Sequence, residues 1–186
     1  MYKTFIIATL TAGFSATASA ADNATEKISA TAQYDFILGD WDIEAATMQQ
    51  DRSLLEGSGV MSVYAIHDGQ TLQADLQVQF VNETGFIGST MRTYDACNEN
   101  WAVSWVPAGA QANAGGTAVW QDDRMVETWP SAKDQFGEYR TTLTLFDITE
   151  NRFVVSMDHH YVDGPTIEGV WRYVATRRDE ADIAQD

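Results

Sequence analysis

The sequence predicts an all-β fold, a single antiparallel up-and-down barrel of about ten strands led in by a short N-terminal helix, and three observations predict it. Apolar and polar residues alternate with period two, turn-forming residues interrupt that alternation roughly every ten residues, and no stretch keeps a long helical period. Alternation of this kind marks a strand with one face buried. Strands that follow one another through tight turns pair antiparallel, and closing such a sheet removes the two edges that would otherwise stay unpaired.

The first strand sets Trp41, Ile43 and Ala45 against Asp40, Asp42 and Glu44. Tyr34, Phe36 and Ile37 precede it and predict a short helix running into Gly39. A second strand over 57–66 ends at the turn His67 to Gln70, and a third alternates Leu72, Ala74, Leu76, Val78 and Phe80 with Gln73, Asp75, Gln77 and Gln79. Further strands are predicted near 87–94, 100–106, 116–121, 124–129, 138–148, 152–160 and 166–177. Their connectors, NETG, DACNEN, QDD, SAKDQFG, ITEN and VDGP, hold the Gly, Asn, Asp and Pro that tight turns need.

Residues 1–20 read as a secretory signal peptide: Lys3 is an early cation, Phe5 to Phe14 is apolar, and Ala18-Ser19-Ala20 fits a cleavage site. The apolar part is shorter than the roughly 20 residues that cross a bilayer, and no later segment is apolar for that long. The expectation is a soluble protein, periplasmic or secreted, with no membrane insertion. Residues 21–33 predict a flexible start, 34–178 the barrel domain, and 179–186 a charged, disordered tail. Cys97 is the single cysteine, so no internal disulfide staples the fold. With 27 acidic against 11 basic residues the chain carries a net charge of −16, which repels nucleic acid and anionic lipid and argues against both as partners.

Two ends of the chain carry a resemblance. The stretch FILGDW resembles the Gly-x-Trp that begins the first strand of lipocalins and other calycin barrels, and the last strand, IEGVWRYVATR, ends in an arginine as theirs does. The resemblance implies that Gly39, Trp41 and Arg177 close the barrel floor, with the arginine stacked across the tryptophan. Over most of residues 34–178 the order DFILGDW, STMRTYD, NENWAVSW, EYRTTLTLFDIT and a terminal ATR is similar to an uncharacterised bacterial lipocalin-like family, domain of unknown function 1579. Ala96 and Cys97 stand where that family tends to place a proline after Tyr-Asp. The family implies a fold and an enclosed pocket, and no established activity.

Arg92 and Arg140 are the sharpest candidates for ligand contact, because an inward barrel arginine requires either a ligand carboxylate or an internal Asp or Glu. Ile87, Ser89 and Met91 form the phase opposite to Arg92. Trp101, Val103 and Trp105 share one strand face, and Trp171 lies on another, so Trp105 and Trp171 join the expected pocket lining. Asp158-His159-His160 has spacing suggestive of metal binding, but adjacent strand residues point to opposite faces and no metal site is expected. Nitrobindins, ten-stranded calycin-like barrels, hold haem through a late-strand histidine, and His159 shares the phase of Phe153, Val155 and Met157. No nucleophile elbow, phosphate-cradling glycine loop or Cys/His cluster occurs.

The reading that results is an exported barrel that binds a small, partly apolar ligand in its interior, with an anionic group on that ligand as an option and no cofactor required. Arg92, Trp105, Arg140, Trp171 and His159 are its expected ligand contacts. The alternatives are an enzyme, an isomerase or hydrolase of a small organic acid working in the same cavity, and a haem-binding barrel.

Overall fold

Ten strands follow the alternation of the sequence: β1 (Gly39–Met48), β2 (Leu54–Ile66), β3 (Thr71–Phe80), β4 (Gly85–Asp95), β5 (Asn100–Pro107), β6 (Ala114–Gln121), β7 (Arg124–Asp134), β8 (Gly137–Phe146), β9 (Arg152–Tyr161) and β10 (Thr166–Arg177). This computed structural model describes residues 30–109 and 114–178. The predicted signal peptide, most of the predicted flexible start and the predicted tail lie outside the described residues. Each strand pairs antiparallel with its sequence neighbour, and β1 pairs with β10 from Trp41↔Arg177 to Thr47↔Trp171, which closes the barrel. No strand edge is left to template pairing with another chain.

Inward positions form one contiguous core that runs from Trp41 and Ile43 through Met61, Val63, Leu72, Ala74, Val103, Met125, Leu145, Phe153 and Val155 to Ala175. Outward positions on β1 and β3, such as Asp42, Glu44, Gln77 and Gln79, are exposed and polar. That is the reverse of a barrel whose outer face meets lipid. No helix among the described residues is long and apolar enough to cross a membrane.

The N-terminal helix is reduced to two single 3-10 turns, Ala30–Ala32 and Asp35–Ile37, which seal the floor. Phe36 packs edge-on against Phe153, and Trp41 does the same at 4.8 Å between ring centroids. The Trp41 indole N–H donates to the Ile37 carbonyl at 2.7 Å. The Arg177 guanidinium lies over the Trp41 ring at 4.2 Å, and donates to the carbonyls of Leu38 (2.8 Å) and Glu150 (3.0 Å). Gly39 takes φ +111°, and a Cβ there would come within 2.5 Å of an Arg177 nitrogen. Backbone conformation and the arginine both therefore require glycine.

Two strands carry bulges. In β10 the register shifts between Ile167 and Trp171, opposite His159 and Met157. Two extra residues preserve the inward phase, and Gly169, at φ +65°, donates its N–H to Asp158. In β7 the register shifts between Trp129 and Ala132. The strand continues to Asp134 where a loop is predicted from Ser131 onward, because one bulge residue absorbs Pro130, which has no N–H for the ladder. Elsewhere the predicted strand boundaries agree within a few residues. The turn at QDD is a two-residue hairpin, with Asp122 and Asp123 both at positive φ.

Replacing Arg177 by Ala removes the stack and both carbonyl contacts, and should lower unfolding free energy by about 2–4 kcal/mol. Gly39→Ala should lose a comparable amount through strain. Urea denaturation followed by tryptophan fluorescence measures both, and losses under about 0.5 kcal/mol would show that the floor does not depend on this contact.

Candidate functional site

Above the floor, the barrel interior contains one charged group from each of two strands. Arg92 stands on β4 opposite Leu72 and Val103, and Glu127 on β7 opposite Ala118 and Leu143, both on the inward phase. Their side chains are 8% and 1% exposed, and Arg92 Nη2 lies 2.9 Å from Glu127 Oε1. Arg92 Nε donates to the same oxygen at 3.0 Å, and the Tyr34 hydroxyl donates to it at 2.9 Å. Glu127 Oε1 thus takes three donors, whereas the buried Oε2 has no partner. The Arg92 guanidinium also lies 5.1 Å from the Tyr34 ring centre.

Titration of this cluster follows from its surroundings. Burial would depress the Arg92 pKa, but the Glu127 carboxylate outweighs it and the guanidinium is held more firmly protonated than usual. Tyr34 is raised well above the ordinary phenol range by burial first and by the charge of Glu127 second. Tyr173 is raised by burial, with Arg92 opposing. The three groups stay as a cation, a neutral phenol and a neutral phenol across the physiological range.

Toward the mouth the inward side chains change character. Phe86, Thr90, Trp105, Trp129, Leu143, Met157 and Trp171 all face inward, yet each is only half-buried. Phe86 packs edge-on against Trp105 (6.0 Å) and Trp171 (5.3 Å), and Phe80 adds to Trp171, which gathers aromatic surface on one side of the mouth. Two glycines set how the tryptophans lie. A Cβ on Gly88 would meet the outer ring atoms of Trp105 at 2.5 Å, and one on Gly116 would meet the Trp129 ring at 3.2 Å. Each indole therefore packs closely against a neighbouring strand at a position that carries no side chain. The Trp129 indole N–H is buried without a partner.

The predicted contacts separate into three places. Arg92 is inside, but its charge is taken by Glu127. Trp105 and Trp171 line the mouth. His159 is inward and half-buried at the rim, stacked on Tyr139 at 4.1 Å, with its pKa lowered chiefly by burial. Tyr161 beside it donates to Asp134 at 2.6 Å and is pushed up to about 12 by that bond. Arg140 corrects the expectation of an inward pocket arginine: it sits on the phase opposite to Tyr139 and Thr141 and is exposed on the outer wall. His160 is likewise outward, so His159 and His160 point to opposite sides of the sheet. Among the described residues no cluster of His, Cys, Asp or Glu is arranged to hold a metal ion. Cys97 is exposed in the β4–β5 turn.

Glu127 and Tyr34 are absent from the predicted contacts. The run Met125, Glu127, Trp129 puts a carboxylate between two apolar residues of one phase, a pattern that marks a buried charge in search of a partner.

Comparisons bear on the fold. No protein-family model matches the chain, so the similarity to domain of unknown function 1579 stays a resemblance of motifs, and no curated protein matches. The crystal structure of Rv2717c from M. tuberculosis is similar, with a TM-score of 0.53 and 15% sequence identity over 81% of this chain and 98% of that one. At that identity the likeness shows the fold, and it agrees with a lipocalin-like barrel.

Breaking the pair from either side should be costly. Arg92→Met or Glu127→Leu alone should each destabilise by about 3–5 kcal/mol, because one charge is left buried, and the double variant should regain most of that loss. A double-mutant cycle in urea is the measurement, and additive losses would show that the two side chains act independently.

Proposed function

We propose that this protein binds a small, mainly apolar, uncharged ligand in the mouth half of its barrel, and that it does so as an exported carrier or sensor. The observation that carries the reading is the close packing of Trp105 on Gly88 and of Trp129 on Gly116, inward positions that carry no side chain of their own. Half-buried Trp171, Phe86, Met157 and Leu143 complete an apolar lining of the kind that ligand pockets use. Export rests on the N-terminal sequence.

Charge bears on the ligand. Arg92 is neutralised by Glu127, so the interior offers an acidic group no free cation, and a neutral ligand suits it better than an anionic one. The same contact weighs against an enzyme: Glu127 Oε1 is saturated by Arg92 and Tyr34, and Oε2 is buried, so this carboxylate is poorly placed as a general base. Haem does not fit His159 well. One face of its ring is covered by Tyr139, and Tyr161 with Asp134 makes a polar rim instead of an apolar slot.

N-phenyl-1-naphthylamine, a neutral fluorophore, should bind saturably with enhanced emission. In Gly88→Ala the new methyl group displaces the far end of the Trp105 ring into the lumen, and affinity should fall about tenfold or more while the fold persists. Native mass spectrometry and an absorption spectrum of the protein from its own host should show a small retained mass without a haem band. An absence of saturable binding, or equal affinity in Gly88→Ala, would overturn the reading.

A further inference from the structure

The outer wall of the barrel presents a second concavity, around the arginine that does not enter the lumen. The β7 bulge lies opposite Arg140: Trp129 pairs with Thr141 and Ala132 with Tyr139, so Pro130 and Ser131 together face that one residue. A bulge of this kind bends the strand and re-aims its neighbours. The result is a notch of about 400 Å³ lined by Thr128, Ser131, Arg140, Thr142, His160 and Val162. It adjoins a trough of about 610 Å³ that shares Thr128, Ser131 and Arg140, runs over Gly115 and Thr117 on β6, and also reaches Val103, Gly116 and Trp129 of the inward phase.

Arg140 has no ion-pair partner among the described residues, in a chain with 27 carboxylates. The reason is local. Glu138, two residues back on the same face, stands opposite Lys133. Asp158, opposite Thr142, is turned away to accept from the Gly169 N–H at 2.8 Å and the Ser156 hydroxyl at 3.3 Å. The residue directly opposite Arg140 on β9 is His160, and its imidazole is fixed between two hydroxyls, Thr142 at 2.7 Å and Thr166 at 3.1 Å. A guanidinium fork, an anchored imidazole and the hydroxyls of Thr128, Ser131 and Thr142 therefore surround one hollow without a carboxylate among its lining.

We propose that this notch binds an oxyanion, a carboxylate or phosphate group on a small molecule, with Arg140 as counter-ion and the hydroxyls as hydrogen-bond partners, while the rest of the molecule lies along the trough over Gly115 and Thr117. Arginine presents paired N–H groups that match both anions. The notch itself is distinct from the lumen, since Arg140, Thr142 and His160 all point away from it, and the anion contact does not depend on the interior reading.

The test is a titration of the ¹⁵N-labelled full chain with inorganic phosphate and, in parallel, with acetate at constant ionic strength. Saturable shifts of the amides at 128–131, 140–142 and 160 are expected with at least one of them, and the tighter of the two identifies the anion class. Arg140→Gln should weaken that binding tenfold or more and leave the naphthylamine titration of the lumen unchanged. Arg152→Gln, which removes an exposed arginine elsewhere on the barrel, should leave anion binding unaltered. Linear, unsaturated shifts with both anions, or equal losses in the two variants, would overturn the proposal.

Discussion

Much of this barrel's interior turns on one oxygen atom. Glu127 Oε1 receives the Tyr34 hydroxyl and two nitrogens of Arg92, so a single acceptor ties the N-terminal floor segment to β4 and β7. Tyr34 is fully buried and packs edge-on to Trp101 at 5.0 Å, which fixes the segment that also carries Phe36 and Ile37 into the floor. A lone charge at this depth would cost several kcal/mol, whereas a paired and hydrogen-bonded one is tolerable. The contact therefore sets the floor in place and at the same time determines the polarity of everything above it, because it leaves the interior with no net charge from this pair.

Glycine shapes the remaining volume. Gly88 and Gly116 stand at inward positions where a side chain would ordinarily fill the barrel, and each receives an indole from the next strand. A tryptophan packed at such a position supplies a large apolar contact surface to the interior. The bulge in β7 has the opposite effect on the other side of the sheet. By setting Pro130 and Ser131 together against Arg140, it hollows the outer face on the β7 side, while His160 stands opposite Arg140 on β9. One strand, β7, thus contributes Glu127 to the interior, Trp129 to the wall and Ser131 to the exterior notch.

Strand number and order, and the phase of most strands, were legible in the sequence because alternation reports burial directly, and each half-buried strand alternates independently of its partners. The inward phase of Trp41, Trp105, Trp171 and His159 follows from the same rule. Arg140 was not legible. Its strand, YRTTLTLF, has threonine on both phases, so polarity did not separate the faces until the pairing Thr141↔His159 placed Thr141 inside. The Arg92–Glu127 pair spans 35 residues, and nothing local joins the two; only the carboxylate's phase within MVETW hinted at it. The bulge at Pro130 was half legible, since proline marks an interruption without saying whether the strand resumes.

Charge distribution separates the two faces of the wall. A chain with 27 acidic and 11 basic residues repels anions at distances up to a Debye length of about 8 Å at physiological salt, so no exposed arginine would hold one by long-range attraction. The binding proposed at Arg140 must come from contact: Asp158 is already engaged by the Gly169 amide and the Ser156 hydroxyl, and the His160 imidazole is already held between two hydroxyls. Inside, the same economy works through neutralisation, as Glu127 removes the one charge that would have favoured an anion over an apolar guest. An arginine paired in the lumen and an arginine without an ion pair on the wall are therefore complementary: the first leaves the interior without an unbalanced charge from that pair, and the second stands in a hollow whose lining holds no carboxylate.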